Sequence, residues 1–376
     1  MTDLRPRGLC PPKFAAVART FAANFDEGLE LGARFALAID GEIVIDLMGG
    51  WADRDESRPF DERTLTPVFS TTKAMTSVMI AKLVGEGRLS YGQRVADLWP
   101  ELAAAGKDRL TVEQALSHQG GLAGLEAPWA PVDWYDWKKT CGRLAAMTPL
   151  WPPGSASGYH PVTFGFLAGE IFRRVDGRTL GTALREDVGA PLGLDLWIGL
   201  PDAEHGRCAE IRRPPAMPDL GPITEVKRLA FLAKWSSPGG MDLAAWRRAE
   251  FPAANGHATA PALARLMSAL ACDGKVGDAR MLPAGLAAEA ARQRVAGPDL
   301  VLPYDLSWGA GFMRNEGLWI YGPGHQTFGH SGWGGSCAFA DPERGLSGAY
   351  VMNRQSAELI ADPRAKGLIE AAYATL

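Results

Sequence analysis

Ser70-Thr71-Thr72-Lys73 places a hydroxyl and an amine three residues apart at the head of an apolar run. If that run is a helix, positions three apart share a face and the Lys73 amine reaches the Ser70 hydroxyl. The helix N-terminus then sets positive potential and free amide donors beside Ser70, which favours developing negative charge there. A serine hydroxyl alone is a weak nucleophile and needs an adjacent base. A lysine desolvated near a second cationic or phenolic group can serve as one. The spacing alone is unspecific, since about 0.4 Ser-x-x-Lys is expected by chance in a chain of this length and composition. The same residues also read as an N-cap serine followed by a solvated helical lysine.

Other chemistries lack their residues. The six histidines include no His-Glu-x-x-His and no pair at helical metal-ligand spacing. Cys10, Cys141, Cys208, Cys272 and Cys337 are odd in number and far apart, without a Cys-x-x-Cys, and read as reduced thiols of a cytosolic protein. Neither Gly-x-Gly-x-x-Gly nor a Walker loop occurs, so no metal and no cofactor is expected. Gly329-His330-Ser331-Gly332-Trp333 fails the nucleophile-elbow pattern Gly-x-Ser-x-Gly at its last position, and Ser331 reads as a polar strand residue. Lys and Arg number 39 against 43 Asp and Glu, a net charge of −4, which gives no footprint for nucleic acid or an anionic membrane surface. No run of about 18 apolar residues is present to span a bilayer. The first 25 residues lack an apolar core with a cleavage site, so the sequence predicts no export and a cytoplasmic location. The oligomeric state is left open.

The elements that must position Ser70 follow from periodicity. A length of 376 residues allows two or three domains, or one large body with an inserted subdomain. Arg34 to Ile39 and Glu42 to Met48 alternate around Asp40-Gly41 and predict a β-hairpin. Ala74, Met75, Val78, Met79, Leu83 and Val84 recur at three and four, predicting a helix from about Thr71 to Glu86. Thr111-Val112-Glu113-Gln114 reads as a capping box, with Gly120-Gly121 closing that short helix. Pro161 stands where a further helix starts, and Gly177 stops it. Strand patterns return at Ser307 to Met313, Gly317 to Tyr321, Ser336 to Ala340 and Gly348 to Met352, before a last helix from about Pro363 to Tyr373. The predicted class is α/β in the layered α+β sense: a central antiparallel sheet flanked by helices, with a mostly helical insertion. The hairpin should pair with the C-terminal strands. Residues 1–92 and 248–376 would form the α/β domain and 93–247 the helical domain, with the active site between them.

Three stretches carry a family likeness: Ser70-Thr71-Thr72-Lys73, Tyr159-His160-Pro161 and Gly329-His330-Ser331-Gly332-Trp333-Gly334-Gly335. In this order and spacing the chain, from about residue 20 to 374, resembles the serine β-lactamase-like superfamily, in particular class C β-lactamases and the family VIII carboxylesterases that share their fold. Leu116-Ser117-His118-Gln119-Gly120-Gly121-Leu122, Pro191-Leu192-Gly193-Leu194 and Asn255-Gly256-His257 support the likeness. The resemblance implies that Ser70 is the acylated nucleophile and Lys73 the amine beside it. It implies that Tyr159 is base in acylation and proton donor to the leaving group. A phenol titrates near 10 in water, so phenolate at Tyr159 would require Lys73 close by. His330 stands where the family usually has the lysine of Lys-Thr-Gly, and the backbone amides of Ser70 and Trp333 would form the oxyanion hole. Gly332 would let a substrate approach the strand edge.

Two departures from the lactamase pattern bear on substrate. Pro161 replaces the asparagine of Tyr-x-Asn and offers neither side-chain amide nor backbone N–H. His330 replaces a permanent cation with a side chain mostly neutral at pH 7. Both changes point from β-lactams toward neutral esters, and so to a serine carboxylesterase acting on short-chain acyl esters as small-molecule partners. The alternatives are a β-lactamase or D-amino-acid peptidase of the same fold, and a sensor that is acylated without turnover. The aromatic stretch Ala127 to Trp137, with Trp129 and Trp134, reads either as an apolar wall of the substrate pocket or as a loop clamped onto the helical domain.

Overall fold

The computed structural model describes residues 6–239 and 242–376. Nine strands build its main sheet: β1 Arg7–Leu9, β2 Gly32–Ile39, β3 Glu42–Gly50, β4 Val295–Pro298, β5 Asp305–Trp308, β6 Met313–Arg314, β7 Phe328–Ser331, β8 Cys337–Asp341 and β9 Leu346–Met352. Their order is β1-β3-β2-β9-β8-β7-β6-β5-β4, antiparallel throughout. The predicted hairpin forms at Asp40-Gly41, whose φ values of 51° and 84° suit a two-residue turn that follows the twist of its strands. β2 pairs with β9, Phe35 opposite Tyr350, so the N-terminal hairpin and the C-terminal strands share one sheet.

Helices cover both faces of the sheet. On one face α1, Ala15–Asp26, lies against a C-terminal helix, Pro363–Tyr373, and buries Phe21 and Leu368 with Phe35 and Tyr350. On the other, Ala260–Ala271 packs on β2, β8 and β9 through Leu263, Met267 and Leu270. Thr72–Gly85 is buried around nearly its whole circumference, enclosed on all sides. It runs beside this body and packs on Thr163–Asp176. In chain order after α1 we call these α2 (Thr72–Gly85), α3 (Thr163–Asp176), α4 (Ala260–Ala271) and α5 (Pro363–Tyr373). Among the described residues no helix is long and apolar enough to cross a membrane.

The capping box is present, Thr111 Oγ1 accepting from the Gln114 N–H at 3.3 Å and Gln114 Oε1 from the Thr111 N–H at 3.0 Å. The helix it opens ends earlier than the glycine pair suggests. It stops at Leu116, and His118 leaves it with φ 62°. Ser307 to Met313 is two strands, because Gly311 at φ 81° turns the chain and the Gly309 N–H donates to Phe312 O. Gly317 to Tyr321 is a coil. Gly317 and Trp319 both take positive φ, and the Asn315 side chain gathers Gly322 O, Gly324 O and the Tyr321 N–H.

Candidate active site

Ser70 lies in a short 3₁₀ turn, Phe69–Thr71, directly before α2. Phe69 holds φ 47°, a left-handed conformation that costs a non-glycine residue about 1–3 kcal/mol and persists only where its surroundings impose it. Those surroundings come from the Asn255-Gly256-His257 stretch. The Val68 N–H donates to Gly256 O at 2.8 Å, and the Gly256 N–H donates to Thr72 Oγ1 at 2.8 Å. A Cβ on Gly256 would lie 2.3 Å from Met75 Cε and 2.7 Å from Thr72 Oγ1, so a side chain there would crowd the start of α2. Ser70 is half-buried and caps no helix, since α2 has Thr71 at its N-cap with no side-chain bond.

Lys73 is fully buried, unlike a solvated helical lysine. Its Nζ lies 3.2 Å from Ser70 Oγ and donates to Pro161 O at 2.8 Å and Ala253 O at 3.1 Å. All three partners are neutral. Burial without a carboxylate holds the amine well below its usual value. The carbonyls take two of the amine's hydrogen-bonding positions, and the third faces Ser70 Oγ. Pro161 has no amide to offer, yet its carbonyl supplies one of these anchors.

The Tyr159 ring centroid lies 4.6 Å from Lys73 Nζ, with Trp308 stacked at 5.8 Å and Phe231 at 6.5 Å. Burial pushes the phenol well up, against the pull of the Ser70 hydrogen bond, so Tyr159 is a phenol and not a phenolate at neutral pH. Buried Asp299 fixes its backbone. Asp299 Oδ1 accepts from the N–H groups of Tyr159, Val301 and Leu302, each at 2.9 Å, and Oδ2 from Ser157 Oγ at 3.1 Å.

Three histidines surround this pair. His118 packs its ring 4.8 Å from Tyr159 and accepts from the His160 N–H at Nδ1, while His160 Nε2 accepts from the Leu122 N–H. His330, at the inner end of β7, donates from Nδ1 to Ser331 O at 2.7 Å, which leaves Nε2 as an acceptor. Burial pushes His330 down to about 3. Burial also pushes His160 down to about 3 and holds His118 well below its usual range.

After β7 the chain turns at Gly332. A Cβ there would sit 2.3 Å from Val68 O and 2.3 Å from Ser336 Oγ, so the glycine is required by close packing against the Ser70 turn. This is a different reason from the expected substrate approach. The contact brings Trp333 beside that turn, its ring T-shaped on Phe69 at 6.0 Å. Among the described residues neither the Ser70 N–H nor the Trp333 N–H has an intramolecular acceptor. The structure thus gathers Ser70, Lys73, Tyr159, His330, Gly332 and Trp333.

Trp129 and Trp134, read either as pocket wall or as a loop clamp, make their contacts with one another and with neighbouring helices. Trp134 is 1% exposed, packs 5.6 Å from Phe166 of α3 and donates from Nε1 to Trp235 O at 2.7 Å. Trp129 stands edge-on to it at 5.9 Å beneath Lys139. Both clamp their loop onto neighbouring helices. Sequence reasoning gave no role to Asp299, His118 or Trp308. His118 lies inside a stretch quoted for its likeness, whereas Asp299 and Trp308 carry no local signal.

Residues 21–371 match the family profile described as Beta-lactamase. The chain is 37% identical over 366 residues to the esterase/beta-lactamase LipL of Mycobacterium tuberculosis, covering 94% of this chain and 84% of that protein. Among solved structures, it is similar to a penicillin-binding protein homologue from Caulobacter crescentus at a TM-score of 0.97 and 63% identity, over 99% of this chain and 100% of that one. It is similar to a family VIII carboxylesterase at a TM-score of 0.92 and 42% identity, again over 99% and 100%.

Proposed function

From the premise that the chain belongs to the beta-lactamase family, with esterases among its relatives, we propose that it is a serine carboxylesterase cleaving short-chain acyl esters through acyl-Ser70. The observation that carries the reading is the buried Lys73 amine, 3.2 Å from Ser70 Oγ and held by two backbone carbonyls. A lysine so desolvated is a base at neutral pH. It takes the Ser70 proton as Oγ bonds to the ester carbonyl carbon. The Ser70 and Trp333 N–H groups receive the oxyanion. Tyr159, a phenol under these conditions, gives its proton to the departing alkoxide and is reprotonated from Lys73. Water then repeats the sequence on the acyl-enzyme, its proton passing to the amine and Ser70 leaving as the alcohol. This reading divides the two roles that the family likeness gives to Tyr159, with Lys73 as the base and Tyr159 as the acid.

Esters are favoured over β-lactams because the substrate side lacks fixed charge. His330 is neutral, and Pro161 turns its only polar group, the carbonyl, to Lys73. The test is release of p-nitrophenol from p-nitrophenyl butyrate by wild type and Ser70→Ala. Steady turnover by wild type and none by Ser70→Ala supports the reading. A single burst without a steady phase supports the non-turnover sensor instead, and wild-type rates in Ser70→Ala refute the nucleophile.

A further inference from the structure

The turn Gly332–Gly335 carries the Trp333 N–H, and its geometry is imposed from behind. The Gly335 N–H donates to Gly332 O at 3.1 Å. C=O and N–H of one trans peptide point in opposite directions, so this bond aims the Trp333 N–H out of the turn. The next two carbonyls are fastened as well. Trp333 O accepts from Gln355 Nε2 at 3.0 Å, and Gly334 O accepts from the Ser356 N–H at 3.1 Å and from Arg364 Nη2 at 2.9 Å. Arg364 stands in the first turn of α5 and is 4% exposed. Its remaining N–H groups go to Asp362 Oδ1 and Oδ2 at 3.0 and 2.8 Å, Glu30 Oε2 at 3.1 Å, and the carbonyls of Leu29 and Arg354 at 3.1 and 2.8 Å. The fit is close. A Cβ on Gly335 would lie 2.6 Å from Asp362 Oδ2 and 2.7 Å from Arg364 Nη2.

We infer that Arg364 is a positioning residue for the oxyanion hole: held by Asp362 and Glu30, its guanidinium fixes the Gly334 carbonyl and through it the direction of the Trp333 N–H. This rests on the reading of Trp333 as an oxyanion donor. A planar guanidinium is suited to the task because it engages both carboxylates, two loop carbonyls and the turn at once, which an ammonium cannot. A donor swung from its place loses stabilisation in the transition state and little in the ground state, so kcat falls while KM stays nearly constant.

The experiment compares wild type with Arg364→Met, Arg364→Lys and, as a control, Arg34→Met. The control removes a buried ion pair (Arg34 Nε to Asp46 Oδ1, 2.6 Å) in the N-terminal hairpin, away from the turn. On p-nitrophenyl butyrate, Arg364→Met should lose about 10- to 100-fold in kcat with KM within about threefold. Its affinity for a trifluoromethyl ketone, which adds to Ser70 and places an oxyanion in the hole, should fall by the same factor as kcat/KM. Arg364→Lys should lie between the two, and Arg34→Met should lose stability with kcat unchanged. If Arg364→Met does not accumulate as folded protein, Gln355→Met removes the donor to the Trp333 carbonyl without stranding a charge and must show the same split. Wild-type kcat in the folded variant, or a rise in KM with the ketone affinity untouched, overturns the positioning role. A Ser70→Ala variant that keeps full activity overturns the site reading itself, whereas inactive Ser70→Ala beside fully active Arg364→Met removes the positioning role alone.

Discussion

Lys73→Met removes the amine of the site while keeping an apolar stem of similar length in the core. In the unfolded chain that amine holds its proton up to about 10.5, whereas burial among neutral partners keeps it well below that value in the folded protein. Holding it neutral where the unfolded chain would bind a proton costs stability, by up to about 1.4 kcal/mol for each pH unit over which the two states differ. Methionine escapes this penalty but leaves the Pro161 and Ala253 carbonyls without their donor, at about 1–2 kcal/mol each. The variant should therefore be inactive yet more stable than wild type at pH 7, where the penalty outweighs the lost hydrogen bonds. The pH dependence has a definite sign. From the lowered value of the folded state up to 10.5, the unfolded chain binds a proton that the native lysine does not. Wild-type stability accordingly gains up to about 1.4 kcal/mol per pH unit relative to the variant. By pH 10 the penalty is nearly gone, the lost hydrogen bonds dominate, and the order of stability reverses. Urea unfolding of both proteins at pH 7 and pH 10, beside an esterase assay, measures each quantity. A methionine variant less stable at pH 7, or a difference that is the same at both pH values, refutes the claim that Lys73 is held neutral.

Three further outcomes follow from the same geometry. Lys73→Ala and Tyr159→Phe should each lower kcat on p-nitrophenyl butyrate by about 10²–10⁴-fold, and the double variant should lose little more, because both serve one proton path; additive losses in steady-state kinetics would show that Tyr159 only packs. Asp299→Ala should cost about 3 kcal/mol by stranding three buried N–H groups and lower kcat by freeing the Tyr159 backbone, while Asp299→Asn, which keeps an accepting oxygen, stays near wild type in unfolding and rate. Nitrocefin should be turned over at a kcat/KM about 10²- to 10³-fold below p-nitrophenyl butyrate. His330→Lys with Pro161→Asn should narrow that gap, and no gain on nitrocefin would show that these positions do not set the preference.

What could be read from the sequence was what is local in it. The Asp40-Gly41 turn, the Thr111–Gln114 box and the C-terminal helix each depend on residues within a few positions, and each is found where the pattern puts it. The nearness of Ser70 and Lys73 is local too, since one helical turn joins them, while the roles given to them rest on the family likeness. The groups that make the pair reactive are remote in the chain: the carbonyls of Pro161 and Ala253 lie 88 and 180 residues from Lys73, and Asp299 lies 140 from Tyr159. A backbone carbonyl has no sequence signature, and an isolated aspartate in a loop resembles any other. The Gly317 to Tyr321 strand failed for a related reason, since its apolar alternation is overridden by the Asn315 side chain gathering the coil. Trp129 and Trp134 were ambiguous because aromatics line pockets and fill cores alike, and only their partners distinguish the two.

The electrostatics of the site follow from a single choice, the burial of Lys73 without a carboxylate. An amine balanced by an aspartate would stay charged and could not take the Ser70 proton. One left unbalanced in the core sheds its proton, and every base nearby is then disfavoured as a cation too. His118, His160 and His330 are each held below their usual range by burial. Tyr159 responds in the opposite protonic sense to the same cause: burial keeps its proton on, as the proposed role of acid requires. A site arranged in this way stabilises an anion through backbone N–H groups alone. A carboxylate-bearing substrate therefore gives up its hydration without meeting a fixed cation, whereas a neutral ester gives up little. The proposed preference for neutral esters would follow from how the lysine is made basic, and His330 in place of a lysine fits it, because a lysine there would set a second amine in the same cavity without a carboxylate.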